Sequence, residues 1–478
     1  MIEYCSFIRG VEIKGDFREE IGVRNPYNNE LIGIVSCATT SDVELAVKVA
    51  HEIYHQKMKS MPAHERSAIL RRAADLLEVQ ATDFATTLAL EAGKPIVEAR
   101  GEVSRAIQVL RFASEGAKNL NGEQIVLDNA LGGEGQIGIA KRVPIGVVAA
   151  ITPFNFPLNM SLHKVAPAIA AGNTIVLKPA EKTPLSAIKL YKLFEQAGLP
   201  KGAFNLLNGP GEQLVETLVT HPHVKKVTFT GSSTVGWKIQ EMAKGKKVTL
   251  ELGSNAPNIV FEDADIDHAV SAITMGGFTF AGQACVSAQR IFVHQAIYKT
   301  FLKKIVDKVS KLKMGDPLDD STEIGPMITE EAAKRAEDWV HEAVAEGAIV
   351  RTGGERQGTM MQATIIDHVR FDMKVVCEEV FAPIISIMPF TREEDVIKWA
   401  NDSEYGLQAG VFTNNINRAF RVADQLETGG IWINEVSVKR YDHIPYGGVK
   451  KSGIGKEGIQ YSIEGMTDLK FIGINILT

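Results

Sequence analysis

Cysteine is scarce in these 478 residues: four in all, Cys5, Cys37, Cys285 and Cys377, with no Cys-x-x-Cys pair. That excludes a disulfide-stapled scaffold or a zinc ribbon and fits a reducing compartment. No apolar run approaches the roughly 20 residues needed to span a bilayer. The opening Met1-Ile2-Glu3-Tyr4 puts an acid where a secretory signal carries positive charge, so a cytoplasmic location is expected. Charge of one sign is missing as well. Lys and Arg total 52 against 58 Asp and Glu, a net charge of -6 without blocks of either sign, so neither nucleic acid nor a membrane is expected as a partner. Tandem repeats and low-complexity linkers are also lacking.

What remains is an ordinary globular composition, 45% hydrophobic and 23% charged. At roughly 100–200 residues per domain, the length predicts two or three closely packed domains. Residues 41–118 carry apolar side chains at helical spacing and predict a helical N-terminal layer. Residues 121–142 shift to short alternating stretches broken by Gly132-Gly133-Glu134-Gly135, the pattern of a β-ribbon with a glycine turn. From 145 to 251 continuous apolar strands (146–151, 174–178, 203–207, 226–230) alternate with helices, which implies parallel βαβ units. A second alternating region, 258–435, predicts a second α/β domain, and the tail 466–476 reads as a lone strand in need of a partner edge.

Five segments carry chemistry. Phe229-Thr230-Gly231-Ser232 leads from a strand into a helix, where backbone N–H groups and a hydroxyl can hold a pyrophosphate. It lacks the Gly-x-Gly-x-x-Gly pattern and reads equally as an ordinary glycine turn. Lys178-Pro179-Ala180-Glu181 ends another strand; an ammonium and a carboxylate there suit ribose hydroxyls, and Glu181 would repel a 2′-phosphate. The alternative is a solvated loop. Cys285 lies in an apolar stretch, as a small core residue or as a nucleophile, and a thiol with pKa near about 8.5 needs neighbours to ionise it. Glu251 closes an apolar strand, either exposed at its end or raised in pKa toward the range of a general base. Asn155, within Thr152-Pro153-Phe154-Asn155-Phe156-Pro157, is a turn former or a neutral donor to an oxyanion.

Pro-Phe-Asn-Phe-Pro at 153–157, Lys-Pro-Ala-Glu at 178–181, Phe-Thr-Gly-Ser at 229–232, Glu-Leu-Gly at 251–253 and Gly-Gln-Ala-Cys at 282–285 together resemble the aldehyde dehydrogenase superfamily. Glu-Glu-Val-Phe-Ala-Pro at 378–383 and Pro-Tyr-Gly-Gly-Val-Lys-Lys-Ser-Gly at 445–453 extend the resemblance over almost the whole chain. It implies an α/β fold with two Rossmann-like parallel-sheet domains plus a small β oligomerisation ribbon. The implied cofactor-binding domain is 1–121 with 146–252, the catalytic domain 253–455, and the ribbon 122–145 with 456–478. It further implies NAD as cofactor, with NADP possible, no metal, and a homodimer or homotetramer acting on a small-molecule aldehyde. Carried onto matching positions, Cys285 is the nucleophile, Glu251 the general base and Asn155 an oxyanion donor. Thr152, Pro153, Phe154, Lys178, Glu181, Gly211, Gly231, Ser232, Leu252, Glu379 and Phe381 would face the dinucleotide. Relatives that pass the acyl group to coenzyme A generally lack this Glu, so a free acid is expected; coenzyme A acylation and a non-catalytic binding role are the alternatives.

Arg105, His163 and Arg440 align with positions that line the substrate mouth in this family. They suit a short aldehyde with a carboxylate, sulfonate, phosphonate or hydroxyl group, a pattern similar to lactaldehyde, sulfolactaldehyde and phosphonoacetaldehyde dehydrogenases. Ala284 stands where some phosphate- and phosphonate-using relatives carry Arg, which counts against those two substrates. The plainer readings are a helix-surface salt bridge for Arg105, a loop tie from Arg440 to Asp442, and a packed core position for His163.

Overall fold

The computed structural model describes residues 3–15 and 18–476. The readings placed on Met1-Ile2 and on the last two residues of the tail lie outside them. Val147–Ile151 and Thr174–Lys178, apolar and covered on both faces, sit near the middle of an eight-stranded sheet. Its central strands are parallel, in the spatial order Lys247–Glu251, Val224–Thr230, Val147–Ile151, Thr174–Lys178, Phe204–Leu206. The parallel set begins at Val147–Ile151, steps outward to Phe204–Leu206, and then crosses to the other side of its first strand. That reversal opens a crevice beyond the carboxyl ends of Val147–Ile151 and Val224–Thr230, where open α/β sheets take their ligands.

A second sheet of seven strands centres on Ala256–Val260 and Ala288–His294, all parallel except the edge strand Ile349–Thr352. The two parallel-sheet regions give the α/β class read from the sequence. Helices Thr40–Gln56, Ala63–Val79, Ala81–Ala92 and Ile96–Lys118 form the expected N-terminal layer. Helix Pro157–Ala171 is buried along its whole length and carries His163 and Lys164 into the interior.

Two stretches differ from the reading above. Within 3–36, where no elements were anticipated, Ser6–Ile8 and Val11–Ile13 extend the first sheet antiparallel, and Leu31–Ser36 pairs with Glu3–Tyr4 and Glu20–Arg24. The ribbon is also shorter than 456–478. Among the described residues of that segment, Thr467–Asn475 alone forms the strand that pairs with Gln136–Pro144, while Gly453–Ile454 joins the first sheet and helix Ile459–Gly465 buries Ile459 and Ile463 in its core. Apolar burial on that core wins over continuity with the tail.

Candidate active site

A cavity of about 1350 Å³ lies between the two sheets. The first sheet contributes residues at or just past its carboxyl ends: Thr152 to Asn155, Lys178, Gly231, Ser232 and Glu251. The second contributes from the opposite edge, because Cys285 stands just ahead of Ala288–His294. Four non-glycine residues around it are left-handed: Phe156 (φ 55), Phe280 (φ 49), Ala281 (φ 52) and Phe381 (φ 52). Such backbone persists only where its surroundings over-determine it. Here Glu98 accepts from the Phe280 N–H at 2.8 Å, and Glu102 accepts from the N–H groups of Leu158 and Asn159, each at 3.1 Å. The Lys94 ammonium pairs with Glu102 and lies 3.7 Å from the Phe156 ring centroid and 4.6 Å from that of Phe280. Helix Ile96–Lys118 thereby braces both loops.

Cys285 Sγ lies 3.2 Å from the Tyr446 hydroxyl, and burial pushes its thiol up to about 11 against that hydrogen bond. The Arg440 guanidinium stacks 3.8 Å from the Tyr446 ring centroid. Asn155 is buried and donates one amide N–H to the Gln283 carbonyl at 2.9 Å, which leaves the other free to meet a substrate. Glu251 is 3% exposed, and neither carboxylate oxygen has a hydrogen-bond partner among the described residues. Burial first, and then the Glu457 charge, raises it well above the usual carboxylate range, against the pull of Arg440, Lys164 and Lys456. A Cβ on Gly447 would come 2.8 Å from Glu251 Oε1, so a glycine is what leaves that carboxyl its space.

At the other end, Lys178 Nζ lies 3.7 Å from Glu181, whose Oε1 also accepts from the Gly211 N–H at 2.7 Å. Ser232 caps helix Ser233–Met242. Glu379 Oε1 accepts from the Ser254 N–H at 3.0 Å, and burial pushes its carboxyl up to about 7. A Cβ on Gly253 would fall 2.6 Å from the same carboxylate, and Phe154 meets Phe381 edge-on at 6.0 Å. A helix N-terminus, a cation, a carboxylate and glycines that keep the cavity open match what a dinucleotide needs.

Arg105 and Arg440 line the wall beyond Cys285, each tied to acids. Of all the residues expected at the site, His163 alone is not on the wall. It is buried behind it, with Nε2 2.9 Å from Asp442.

A model of the aldehyde dehydrogenase family matches residues 13–472. The chain belongs to that family. It is 46% identical over 470 residues to the 3-sulfolactaldehyde dehydrogenase of Priestia aryabhattai, covering 98% of each chain. It is 41% identical to the lactaldehyde dehydrogenase of Methanococcus maripaludis, covering 97% of this chain and 99% of that one. Aldehyde dehydrogenase 21 from Physcomitrella patens, solved with the reaction product succinate, superposes with a TM-score of 0.96 at 39% identity, over 99% of this chain and 98% of that one. Glyceraldehyde-3-phosphate dehydrogenase from Methanocaldococcus jannaschii, complexed with NADP, gives 0.92 at 40% identity over 97% and 100%. This protein is an aldehyde dehydrogenase that uses NAD(P).

Several residues of this aldehyde dehydrogenase escaped the sequence reading. Tyr446 stands inside the quoted 445–453 motif but was given no role. Glu98 and Glu102 are spaced by four on one face of helix Ile96–Lys118, and Lys94 stands just ahead of that helix; their burial was the missed signal. Asp442 was seen only as a neighbour of Arg440.

Proposed function

We propose that this aldehyde dehydrogenase oxidises a short aldehyde with an anionic or hydroxylated tail to the free carboxylate through a thioester on Cys285, preferring NAD. The carrying observation is one cavity lined by a thiol, a neutral amide donor and a carboxyl without a hydrogen-bond partner among the described residues: Cys285, Asn155 and Glu251. Cys285 loses its proton to solvent and its sulfur adds to the aldehyde carbon, with the Tyr446 hydroxyl donating to the ionised sulfur. The free N–H of Asn155 and the backbone N–H of Cys285 donate to the oxyanion, and losing one such donor costs about 10²–10³ in rate. A bound nicotinamide supplies the hydride acceptor. Glu251 takes a proton from water, the hydroxide adds to the thioester carbonyl, and the C–S bond breaks to release carboxylate and regenerate the thiol. Lys178, Glu181, Gly211, Gly231, Ser232, Leu252, Glu379 and Phe381, with Thr152 to Phe154, hold the dinucleotide, and the Glu181 charge disfavours a 2′-phosphate.

Arg105 and Arg440 on the wall support an anionic tail. So do the relatives, whose names and bound product give sulfolactaldehyde, succinate and glyceraldehyde 3-phosphate. The free thiols fit a cytoplasmic setting, and the exposed ribbon fits a homodimer or homotetramer. The test compares kcat/KM for 3-sulfolactaldehyde, lactaldehyde, succinate semialdehyde and unsubstituted alkanals, with NAD and with NADP, and identifies the product. Alkanals as best substrates, with Arg105→Ala and Arg440→Ala both without effect, would refute the substrate class. A Cys285→Ser enzyme as fast as the parent, or no acyl adduct on Cys285 by mass spectrometry, would refute the thioester.

A further inference from the structure

Asp442 serves an unusual number of cationic neighbours. Its Oδ1 accepts from Arg105 Nη2 at 2.7 Å and from His163 Nε2 at 2.9 Å, its Oδ2 accepts from Arg105 Nε at 3.2 Å, and Arg440 Nε lies 4.0 Å away. His163 brings no charge to this group. Its Nδ1 is buried without a partner among the described residues, so an imidazolium would hold an unsatisfied N–H, and burial together with nearby Arg440 lowers its pKa. The Asp442 charge is therefore spent on Arg105.

Most other charges on and behind this wall pair off; Lys456, which acts on Glu251 from outside the cavity wall, donates to the Gly447 carbonyl. Glu457, 3.5 Å from Arg440, is matched by Lys164 at 2.7 Å. Lys439 at the rim pairs with Glu435 at 3.4 Å. Ala284, next to Cys285 on the wall, contributes nothing, and burial holds the Glu251 carboxyl well above its usual range. On the cavity wall itself the positive charge in excess is that of Arg440, since its acid Glu457 is shared with Lys164. Its side chain is 8% exposed, it lines the cavity, and its Nε has no hydrogen-bond partner among the described residues.

We propose that the substrate end of this cavity is charge-matched to a tail carrying one negative charge, and that Asp442 sets that number. This rests on the anionic-tail reading above. A carboxylate or sulfonate tail neutralises Arg440. A phosphonate or phosphate dianion brings a second charge beside the buried Arg440 side chain with no second counter-charge on the wall, unless Arg105 abandons Asp442, and an unmatched charge in buried surroundings is strongly disfavoured.

Sulfoacetaldehyde and phosphonoacetaldehyde share a carbon skeleton and differ in charge, so their kcat/KM values with NAD, measured across the second ionisation of the phosphonate, test the count. For the parent enzyme the sulfonate leads by at least about tenfold on the alkaline side, and the gap narrows as the phosphonate is protonated to its monoanion. Asp442→Asn keeps the side-chain shape and removes one negative charge. It should move the ratio toward the dianion by about tenfold or more, mostly in KM, with folding checked by thermal unfolding. Should that variant not fold, the parent's pH profile decides alone. Equal kcat/KM for the two tails on the alkaline side, or an Asp442→Asn ratio like the parent's, overturns the charge count while leaving the anionic-tail reading intact. If neither tail outperforms propanal, the anionic-tail reading falls, and the count with it.

Discussion

Tyr446→Phe removes one hydroxyl from the cavity, the one 3.2 Å from Cys285 Sγ. Burial pushes that thiol up to about 11, and the Tyr446 hydrogen bond is the largest influence acting the other way. A hydrogen bond to a charged group contributes about 1.5–3 kcal/mol, which at 1.36 kcal/mol per pKa unit places the thiol about 1–2 units higher in the variant. Below the pKa, the thiolate fraction at fixed pH falls by the same factor, about 10–100-fold. A more basic thiolate is a better nucleophile, with a Brønsted slope of about 0.4–0.5, so roughly half of that loss on a logarithmic scale is offset. Alkylation of Cys285 should therefore slow by about 3–10-fold in Tyr446→Phe. The assay is the second-order rate of iodoacetamide modification of Cys285 in cofactor-free enzyme between about pH 7 and 10, with the site verified by peptide mass spectrometry. In both enzymes the rate should climb about tenfold per pH unit, because only the thiolate reacts and the pKa lies above this window. A variant that alkylates as fast as the parent at every pH would show that the hydroxyl does not support the thiolate.

Glu251→Gln should keep the first half of the proposed reaction and lose the second: a burst of about one NAD(P)H per subunit, then a steady state about 10²–10⁴-fold slower than the parent's. A parent-like steady state refutes the base assignment. In the proposed reaction Glu251 acts as the carboxylate, and its pKa is held up by burial, so parent hydrolysis should lose rate as pH falls through a limb above the ordinary carboxylate range, and this limb should vanish in Glu251→Gln. Glu181→Gln should raise the NADP/NAD ratio of kcat/KM, since it removes the charge proposed to oppose a 2′-phosphate; an unchanged ratio places the ribose elsewhere. On the ribbon, Leu469 and Phe471 are 58% and 54% exposed, so Phe471→Glu should shift the particle toward monomer in light scattering. A parent-like mass would put the subunit contact on another face.

The motifs at strand ends were legible because each packs its chemistry into a few consecutive residues. Val147–Ile151 and Thr174–Lys178 announced themselves by unbroken apolar runs, and the loops after them inherited their position from the sheet. Glu20–Arg24 escaped because it is a half-exposed edge strand, with Glu20 and Arg24 facing solvent and little apolar signal. The fate of the basic residues was hidden for a different reason. Asp442 reaches Arg105 and His163 across 337 and 279 residues of sequence, a pairing that only the fold creates. Charge type alone left a basic mouth and plain structural ties both open, where the folded chain sets Arg105 and His163 on Asp442 and Arg440 3.5 Å from Glu457. The ribbon boundary was missed because Ile459 and Ile463 look like any apolar tail until the first core is seen to receive them.

Burial imposes an order on the proposed chemistry. Cys285 and Glu251 share a cavity in which desolvation raises both, and an ionised Glu251 raises the thiol further. Two anions side by side in such a place repel, so the state able to acylate is thiolate with a protonated Glu251. Once the sulfur is capped as a thioester it carries no charge, and Glu251 can ionise and take the proton from water. Nucleophile and base are thereby active in turn, each when the other is neutral. It follows that Glu251→Gln, which removes the charge that raises the thiol, should lower the pKa of Cys285, read as faster iodoacetamide alkylation of Cys285 than in the parent at the same pH. An unshifted pKa would mean that the two groups do not sense one another's charge, and that the order of steps is set by something other than their electrostatics.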